Sequence, residues 1–260
     1  MLENKDLRLK ILTMITESGE GHIPSSFSIV DVINYLYTKV MYINKNNFNS
    51  QKRDYFVLSK GHGCAALYVV LEKIGILSKK HIQNYSTYKS ILGGHPDCTK
   101  VPGVEASTGS LGHGFPTAVG IALGLKIKNK KNKVYVLLGD GECQEGTIWE
   151  SANIANNRNL NNLIAIVDWN GSAKQLMPKD DLINKWKSFG WNVYTVDGHS
   201  TKKMNLVFQR IKLKKRSNPS IVLAVCTKGK GIKLIEGHGP WHHKTPNKKE
   251  YSDFKEILKK

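Results

Sequence analysis

Cysteine and long apolar runs are scarce in this 260-residue sequence. The four cysteines form no C-x-x-C pair, which argues against a zinc ribbon or a disulfide scaffold and fits a reducing compartment. No apolar run approaches the roughly 20 residues that cross a bilayer, and the first residues lack the apolar segment of a secretory signal. The sequence therefore predicts a cytoplasmic protein that does not associate with a membrane.

Acidic residues are also few, 21 against 39 lysines and arginines, so the formal net charge is +18. The basic residues are densest at 126–133, 212–216 and 248–260. Aromatic residues do not alternate with them as they do on surfaces that stack single strands, and no helix-turn-helix, zinc-finger or ribonucleoprotein signature occurs. We interpret the runs as solvated faces and expect no nucleic-acid partner.

The apolar residues alternate between helical spacing and short β-branched runs. Continuous apolar strands between helices predict an α/β fold, a mostly parallel sheet with helices on both faces. With no internal repeat or linker, one domain is expected over 1–260, with 227–260 as an irregular C-terminal arm. The predicted strands are 55–58, 134–138, 163–167, 191–196 and 220–225, and the predicted helices are 7–16, 29–40 (N-cap Ser28), 64–74, 116–128, 147–156, 181–189 and 202–213.

A candidate ligand site follows the second predicted strand, which ends in Gly139-Asp140-Gly141. In an open α/β sheet, ligands bind at the carboxyl ends of strands, where helix N-termini favour anions. Glycine permits close backbone approach and Asp140 offers a hard oxygen ligand, which suits Mg²⁺ or Ca²⁺ bridging a diphosphate. The turn lacks the Walker A lysine and the G-x-G-x-x-G motif. A tight turn with an exposed aspartate is the alternative.

Asn170 follows the next predicted strand, 30 residues after Asp140. One βαβ crossover needs about this length, so the two side chains are expected on neighbouring strand ends, near enough to share one metal ion. An amide oxygen suits the same hard cation. The pairing favours a metal–diphosphate site over a bare turn.

Four histidines lie in loops or beside glycines, namely His22, His62, His95 and His242. Such positions favour exposed donors beside a ligand. No zinc-binding spacing accompanies them. The loop 108–114 adds a run of backbone N–H groups for an anion or a ring.

At these residues the sequence resembles the transketolase family, specifically the N-terminal half that some prokaryotes encode as a separate subunit. The motifs occur in family order along nearly the whole chain. They include Gly21-His22, Ser59-Lys60-Gly61-His62, Gly94-His95-Pro96-Asp97, Gly139-Asp140-Gly141, Val167-Asp168-Trp169-Asn170, Asp197-Gly198-His199 and Lys228-Gly229-Lys230-Gly231.

The resemblance implies a thiamine diphosphate enzyme that passes a two-carbon glycolyl unit from a ketose or ketose phosphate donor to an aldose acceptor. By position, the implied metal ligands are Asp140, Asn170 and a backbone carbonyl near Ser172. The implied cofactor contacts are His62, Gly109, Ser110, Leu111, Gly141, Glu145 and Asn170, and the implied catalytic residues are His22, His95 and His242. The chemistry of the family implies histidines that titrate near neutrality and serve as acid, base and donor. Glu145 and Glu150 also match carboxylates at a dimer interface that couple two active sites.

The resemblance also implies a partner. In this family the carboxylate that activates the cofactor's aminopyrimidine and the aromatic that stacks on it belong to the following pyrimidine-binding domain. Because the sequence stops at Lys260, we expect a separately encoded C-terminal subunit, an α₂β₂ assembly, and no activity without it.

Three positions, Pro24, Ser25 and His243, depart from the glycine-rich pattern of the family. The donor and acceptor therefore stay open, and a specialised sugar-biosynthetic transketolase is one possibility. A decarboxylating subunit of the 1-deoxyxylulose-5-phosphate-synthase type and a non-catalytic basic scaffold are the alternatives. The set of histidines favours a sugar donor over pyruvate.

Overall fold

The computed structural model describes residues 3–175, 177–214 and 217–259, and five strands within them form one parallel sheet in the order β1-β2-β3-β5-β4. The predicted α/β fold is confirmed, with strand bounds that differ from the predicted ones by no more than two residues. The strands are Tyr55–Leu58 (β1), Val134–Gly139 (β2), Leu163–Trp169 (β3), Asn192–Asp197 (β4) and Ser220–Val225 (β5).

Nine α-helices accompany the sheet in the same described residues. None of these helices is long and apolar enough to cross a membrane. They are Lys5–Ser18 (α1), Ile23–Tyr35 (α2), Cys64–Lys73 (α3), Lys79–Gln83 (α4), Gly114–Ile127 (α5), Gly146–Asn157 (α6), Leu182–Ser188 (α7), Thr201–Leu213 (α8) and Lys248–Lys259 (α9).

The sheet separates two hydrophobic cores. Successive side chains of a strand point to opposite faces, and on β2 Tyr135 and Leu137 join one core while Val136 and Leu138 join the other. The first core contains side chains of α1, α2, α3, α8 and α9, and the second contains side chains of α5, α6 and α7. Burial on both faces explains why the strands are apolar without alternation.

The predicted start of α2 is wrong, because the helix begins at Ile23 rather than after Ser28. Pro24 lies in the first turn, where its missing N–H and fixed φ are tolerated, so it opens the helix instead of blocking it. Ser28 lies inside the helix, buried, and is not its N-cap. The last predicted residues, Leu36–Val40, form a π-helical turn.

The prediction of an irregular arm over 227–260 is wrong for its last part, because Lys248–Lys259 form α9. This helix is amphipathic, and it buries Phe254 and Leu258 against α1 while its lysines face water. Three residues of the basic runs, Lys215, Arg216 and Lys260, lie outside the described residues.

Candidate active site

Asp140 and Asn170 lie at the same edge of the sheet. Strands β2 and β3 are neighbours with Gly139 opposite Asp168, so the predicted adjacency of the two strand ends is confirmed. Asp140 is 1% exposed, and its Oδ1 accepts a hydrogen bond from Gly141 N–H at 2.8 Å. Its Oδ2 is buried and forms no close hydrogen bond among the described residues, although the N–H of Ala173 favours the charged form of this carboxylate. Burial, and then the charge of Asp168, raise the pKa of Asp140.

Asp168 organises this edge, although the sequence marks it only as one member of a motif. Its carboxylate is buried and accepts hydrogen bonds from Ser28 Oγ at 2.7 Å, Lys60 Nζ at 2.5 Å and Asn170 Nδ2 at 2.8 Å. The last bond fixes which end of the Asn170 amide carries the oxygen. That oxygen accepts from the N–H of Ser172 at 3.0 Å and from its Oγ at 2.7 Å.

These oxygens fit a divalent cation. In the described part of the chain, no three or more His, Cys, Asp or Glu side chains form a group that could hold a metal ion. A cation at Asp140 would therefore take one carboxylate and neutral oxygens from this chain, a set typical of Mg²⁺ or Ca²⁺ sites completed by phosphate oxygens. A Cβ added at Gly141 would meet no heavy atom within 4 Å, so space for a ligand lies beside Asp140.

Two buried lysines near Asp140 and Asn170 were not predicted as site residues. Lys60 and Lys228 are each 8% exposed, and Lys228 Nζ lies 3.2 Å from His242 Nδ1. Burial, and then the charge of Lys60, lower the pKa of Lys228. Lys60 is already paired with Asp168, so Lys228 is the buried cation better placed to face a bound anion. The sequence gives one indication of their role, since each lysine lies in a glycine-containing motif, Ser59-Lys60-Gly61-His62 or Lys228-Gly229-Lys230-Gly231.

The histidines form one cluster. The ring of His22 lies at centroid distances of 4.9 Å from His62, 6.2 Å from His95, 5.3 Å from His242 and 4.6 Å from His243. The structure thus brings together the three histidines proposed as catalytic and the one proposed for the cofactor. His243 extends the cluster to the surface, where its Nε2 lies 3.5 Å from Glu20 Oε1.

The expectation that these rings titrate near neutrality is wrong for two of them. Burial, and then the neighbouring His62, lower the pKa of His22 to about 3. Burial, and then His95, lower the pKa of His62 to about 4, and burial and Lys228 lower the pKa of His242. Crowded rings cannot all carry a charge. His22 and His62 are therefore neutral near pH 7, each with one N–H donor and one acceptor, and His22 Nδ1 is without a partner.

The loop of Gly109, Ser110 and Leu111 lies against this cluster. A Cβ at Gly109 would come within 2.9 Å of His95 Cδ2, and a Cβ at Gly61 would come within 2.8 Å of Gly109 N. The two loops thus pack backbone to backbone, which only glycine permits here. Ser110 is exposed and Leu111 is half-buried, so this loop presents its side chains at the rim of the cluster.

Glu142 connects the ends of three loops through hydrogen bonds, and it is a further residue that was not predicted from the sequence. Its buried carboxylate accepts hydrogen bonds from Ser59 Oγ at 2.5 Å, from Gly112 N–H at 3.0 Å and from Gly139 N–H at 3.1 Å. These donors follow β1, precede α5 and end β2, respectively. Burial raises the pKa of Glu142.

Glu145 and Glu150 are exposed, at the N-cap and in the second turn of α6. The backbone N–H of Glu145 donates to Glu142 O at 3.0 Å, while its carboxylate faces outward. The structure therefore places both carboxylates on the surface of the chain and brings neither into the cluster of lysines and histidines.

Comparisons with known proteins agree with the architecture and the motifs. Residues 3–258 match the family described as "Transketolase, thiamine diphosphate binding domain". An apulose-4-phosphate transketolase subunit of Actinobacillus succinogenes is 38% identical, over 98% of this chain and 94% of that protein. The 6-deoxy-6-sulfo-D-fructose transketolase subunit SqwG of a Clostridium species is 37% identical, over 89% and 86%.

The transketolase of Leishmania mexicana superimposes with a TM-score of 0.89 at 25% identity, over 98% of this chain and 40% of that one. The chain thus spans about two fifths of this solved transketolase and nearly all of the two proteins named as transketolase subunits. The predicted resemblance is confirmed: this chain belongs to the transketolase family and matches its thiamine diphosphate-binding domain.

Proposed function

We propose that this chain is the N-terminal, thiamine diphosphate-binding subunit of a two-subunit transketolase, which transfers a two-carbon glycolyl unit from a ketose or ketose phosphate to an aldose. The observation that carries the proposal is the meeting of three features at one edge of the sheet. They are the buried Asp140 carboxylate, the buried Lys60 and Lys228, and the cluster around His22.

The oxygens at the ends of β2 and β3 would hold the cation. Asp140 would supply the carboxylate, Asn170 would supply its amide oxygen, which accepts from Ser172 Oγ in this structure, and the backbone near Ser172 would supply the third ligand. Mg²⁺ and Ca²⁺ both suit this set. Lys60 and Lys228, with His62 and the open space at Gly141, would face the diphosphate.

The chemistry of carbon–carbon cleavage would come from the bound cofactor, whose thiazolium ring stabilises the carbanion. The chain's own contribution would be to bind and orient the sugar. His22 and His242, whose pKa burial lowers, would each offer one donor and one acceptor to the donor's hydroxyl and carbonyl oxygens, and His95 would contact the same oxygens from beside them. The loop of Gly109, Ser110 and Leu111 would border the cofactor ring, and Glu145 would face the partner.

A separately encoded C-terminal subunit would complete the site. Two relatives of nearly the same length are named as transketolase subunits, which supports this assignment. We expect an α₂β₂ assembly with Glu145 and Glu150 at its interface. The four cysteines are free thiols, which fits a cytoplasmic enzyme.

The sugar substrate differs between the relatives of this chain. The two relatives are named for apulose-4-phosphate and for 6-deoxy-6-sulfo-D-fructose, so family membership alone selects neither. His243 stands where glycine is common and extends the cluster, which favours a donor other than that of the general transketolases. We propose a specialised sugar substrate of the ketose class.

The test is co-expression with the product of the neighbouring reading frame, followed by turnover assays with thiamine diphosphate and Mg²⁺. The donors to compare are ketose phosphates, the two sugars named above and pyruvate. Turnover of a ketose by the complex, and by neither polypeptide on its own, is expected. Turnover of pyruvate with release of CO₂ would favour the synthase alternative. Absence of turnover together with salt-sensitive binding of duplex DNA would favour the scaffold alternative.

A further inference from the structure

A buried charged network lies beneath the site, on the far side of Lys228. Arg8 of α1 is fully buried and forms an ion pair with Asp31 of α2, with Nη2 2.6 Å from Oδ2 and Nη1 3.0 Å from Oδ1. His199 Nδ1 lies 2.7 Å from the same Asp31 Oδ2. The burial of Asp31 opposes its charge, but hydrogen bonds from His199 and Arg8 outweigh it and lower the pKa of Asp31. The carboxylate is therefore ionised and shared by both partners.

The protonation of the His199 ring follows from its second hydrogen bond. The backbone N–H of Thr227 donates to His199 Nε2 at 2.8 Å. An amide N–H can only donate, so Nε2 carries no proton. The ring proton therefore lies on Nδ1, where it donates to Asp31, and the carboxylate fixes this tautomer.

The segment held in this way is the turn 227–230, which carries Lys228 into the site. Four hydrogen bonds among the described residues connect the backbone of the turn to other segments. They are Thr227 N–H to His199 Nε2, Gly229 N–H to Pro24 O at 3.0 Å, Gly237 N–H to Lys228 O at 2.9 Å and Arg8 Nε–H to Lys230 O at 2.8 Å. Two of the four lead back to Asp31 through its partners, His199 and Arg8. Gly229 has a φ of +78°, and a Cβ there would lie 2.1 Å from Ile235 O, so only glycine fits at this position of the turn.

We propose that His199 is a positioning residue for Lys228. Its neutral ring, oriented by Asp31, holds the backbone of Thr227 so that the ammonium group of Lys228 stays beside the Asp140 edge and His242. The role rests on the cofactor site proposed above, but it concerns a histidine that does not touch that site.

Two matched variants test the role. In His199→Asn, an amide N–H replaces the Nδ1–H donor to Asp31, but the side chain is too short to accept from Thr227. In His199→Gln, the longer side chain places an oxygen near the position of Nε2. Both full-length chains are titrated with thiamine diphosphate and Mg²⁺ by calorimetry. Loss of one such hydrogen bond corresponds to roughly a fivefold to tenfold weaker Kd for the Asn variant, and the Gln variant should stay within about twofold.

A double-mutant cycle shows whether the effect passes through Lys228. In a Lys228→Met background, His199→Asn is expected to weaken cofactor binding no further. Independent, additive losses would overturn the proposal, as would equal losses in the Asn and Gln variants. Failure of the wild-type chain to bind the cofactor, both alone and together with the second subunit, would instead count against the proposed function.

The tautomer is measurable in the wild-type protein, whatever the variants do. The ¹⁵N spectrum of the histidine-labelled chain should show an unprotonated Nε2 and a protonated Nδ1 for His199 near pH 7, in a ring coupled to the amide of Thr227. A protonated Nε2 could not accept the hydrogen bond from Thr227 N–H, so it would refute the proposed role of His199 directly, even if His199→Asn does not fold.

Discussion

Replacing Asp140 with asparagine should stabilise the chain while abolishing its response to the cation. The carboxylate is 1% exposed, and burial and the charge of Asp168 raise its pKa. A buried charge that is not fully compensated costs about 1–3 kcal/mol or more. The amide of the Asp140→Asn variant would remove this cost because it carries no charge, and its oxygen would still accept from Gly141 N–H. We expect a gain of about 1–2 kcal/mol in the free energy of unfolding, which raises Tm by about 2–8 °C in a protein of this size.

The same substitution removes the only charged ligand proposed for the cation. Wild-type protein at a ligand concentration of 100 Kd gains about 2.7 kcal/mol, or about 5–11 °C in Tm. The variant should gain none of this. Calorimetric melting in EDTA, and again with Mg²⁺ and thiamine diphosphate, measures both effects on one sample.

Asp54→Asn is the matched control. Asp54 precedes β1 at the opposite edge of the sheet, and both of its oxygens accept backbone N–H groups, from Lys133 at 2.8 Å and Tyr42 at 2.9 Å. Its substitution should lower Tm and leave the ligand response intact. The reasoning is refuted if Asp140→Asn melts below the wild type in EDTA, or if it keeps the full ligand-induced shift.

Three other substitutions and one control variant test the packing and the titration. Because burial lowers the pKa of His22 to about 3, the folded chain binds fewer protons there than the unfolded one. Its contribution to stability is therefore lost as pH falls below about 6.5, and His22→Gln should flatten that part of a urea-unfolding pH profile. Gly109→Ala should displace His95, lower kcat/KM at least about tenfold and cost about 1–3 kcal/mol in stability. The control Gly120→Ala, in an open position of α5, should instead raise stability by about 0.5–1 kcal/mol. Equal changes in Tm for the two variants would contradict the expected clash between the new methyl group and His95. Phe254→Ala should cost about 3–5 kcal/mol in denaturant unfolding, since this buried ring fastens α9 to the core, and a loss under about 1 kcal/mol would mean that α9 is not docked.

The sheet was predictable because its strands are short apolar runs separated by helical spacing, a local signal. The edge that carries Asp140 and Asn170 followed from the length of one crossover. The start of α2 could not be predicted in the same way. A proline interrupts a helix in its interior but is tolerated in its first turn, and the sequence alone does not show which position Pro24 takes. The amphipathic α9 was overlooked because its lysines concealed the spacing of its two buried apolar residues, Phe254 and Leu258.

The residues that organise the site were harder to foresee, since their partners are remote in sequence. Lys60 meets Asp168 across 108 residues, and Ser28 meets Asp168 across 140. A motif marks such residues as candidates, but only the fold shows which groups they contact. The low pKa of His22 is likewise a property of the assembled cluster, since each ring in isolation titrates close to pH 6.5.

The hydrogen bonds of Glu142 have a thermodynamic consequence for ligand binding. One carboxylate links the backbone after β1, before α5 and at the end of β2, so these loops cannot reorganise separately. The part of the site that this chain supplies is preorganised, and a ligand would lose its own freedom on binding without having to order the protein. Cofactor association should then show a small negative heat-capacity change, and any large ordering signal should arise only when the second subunit docks.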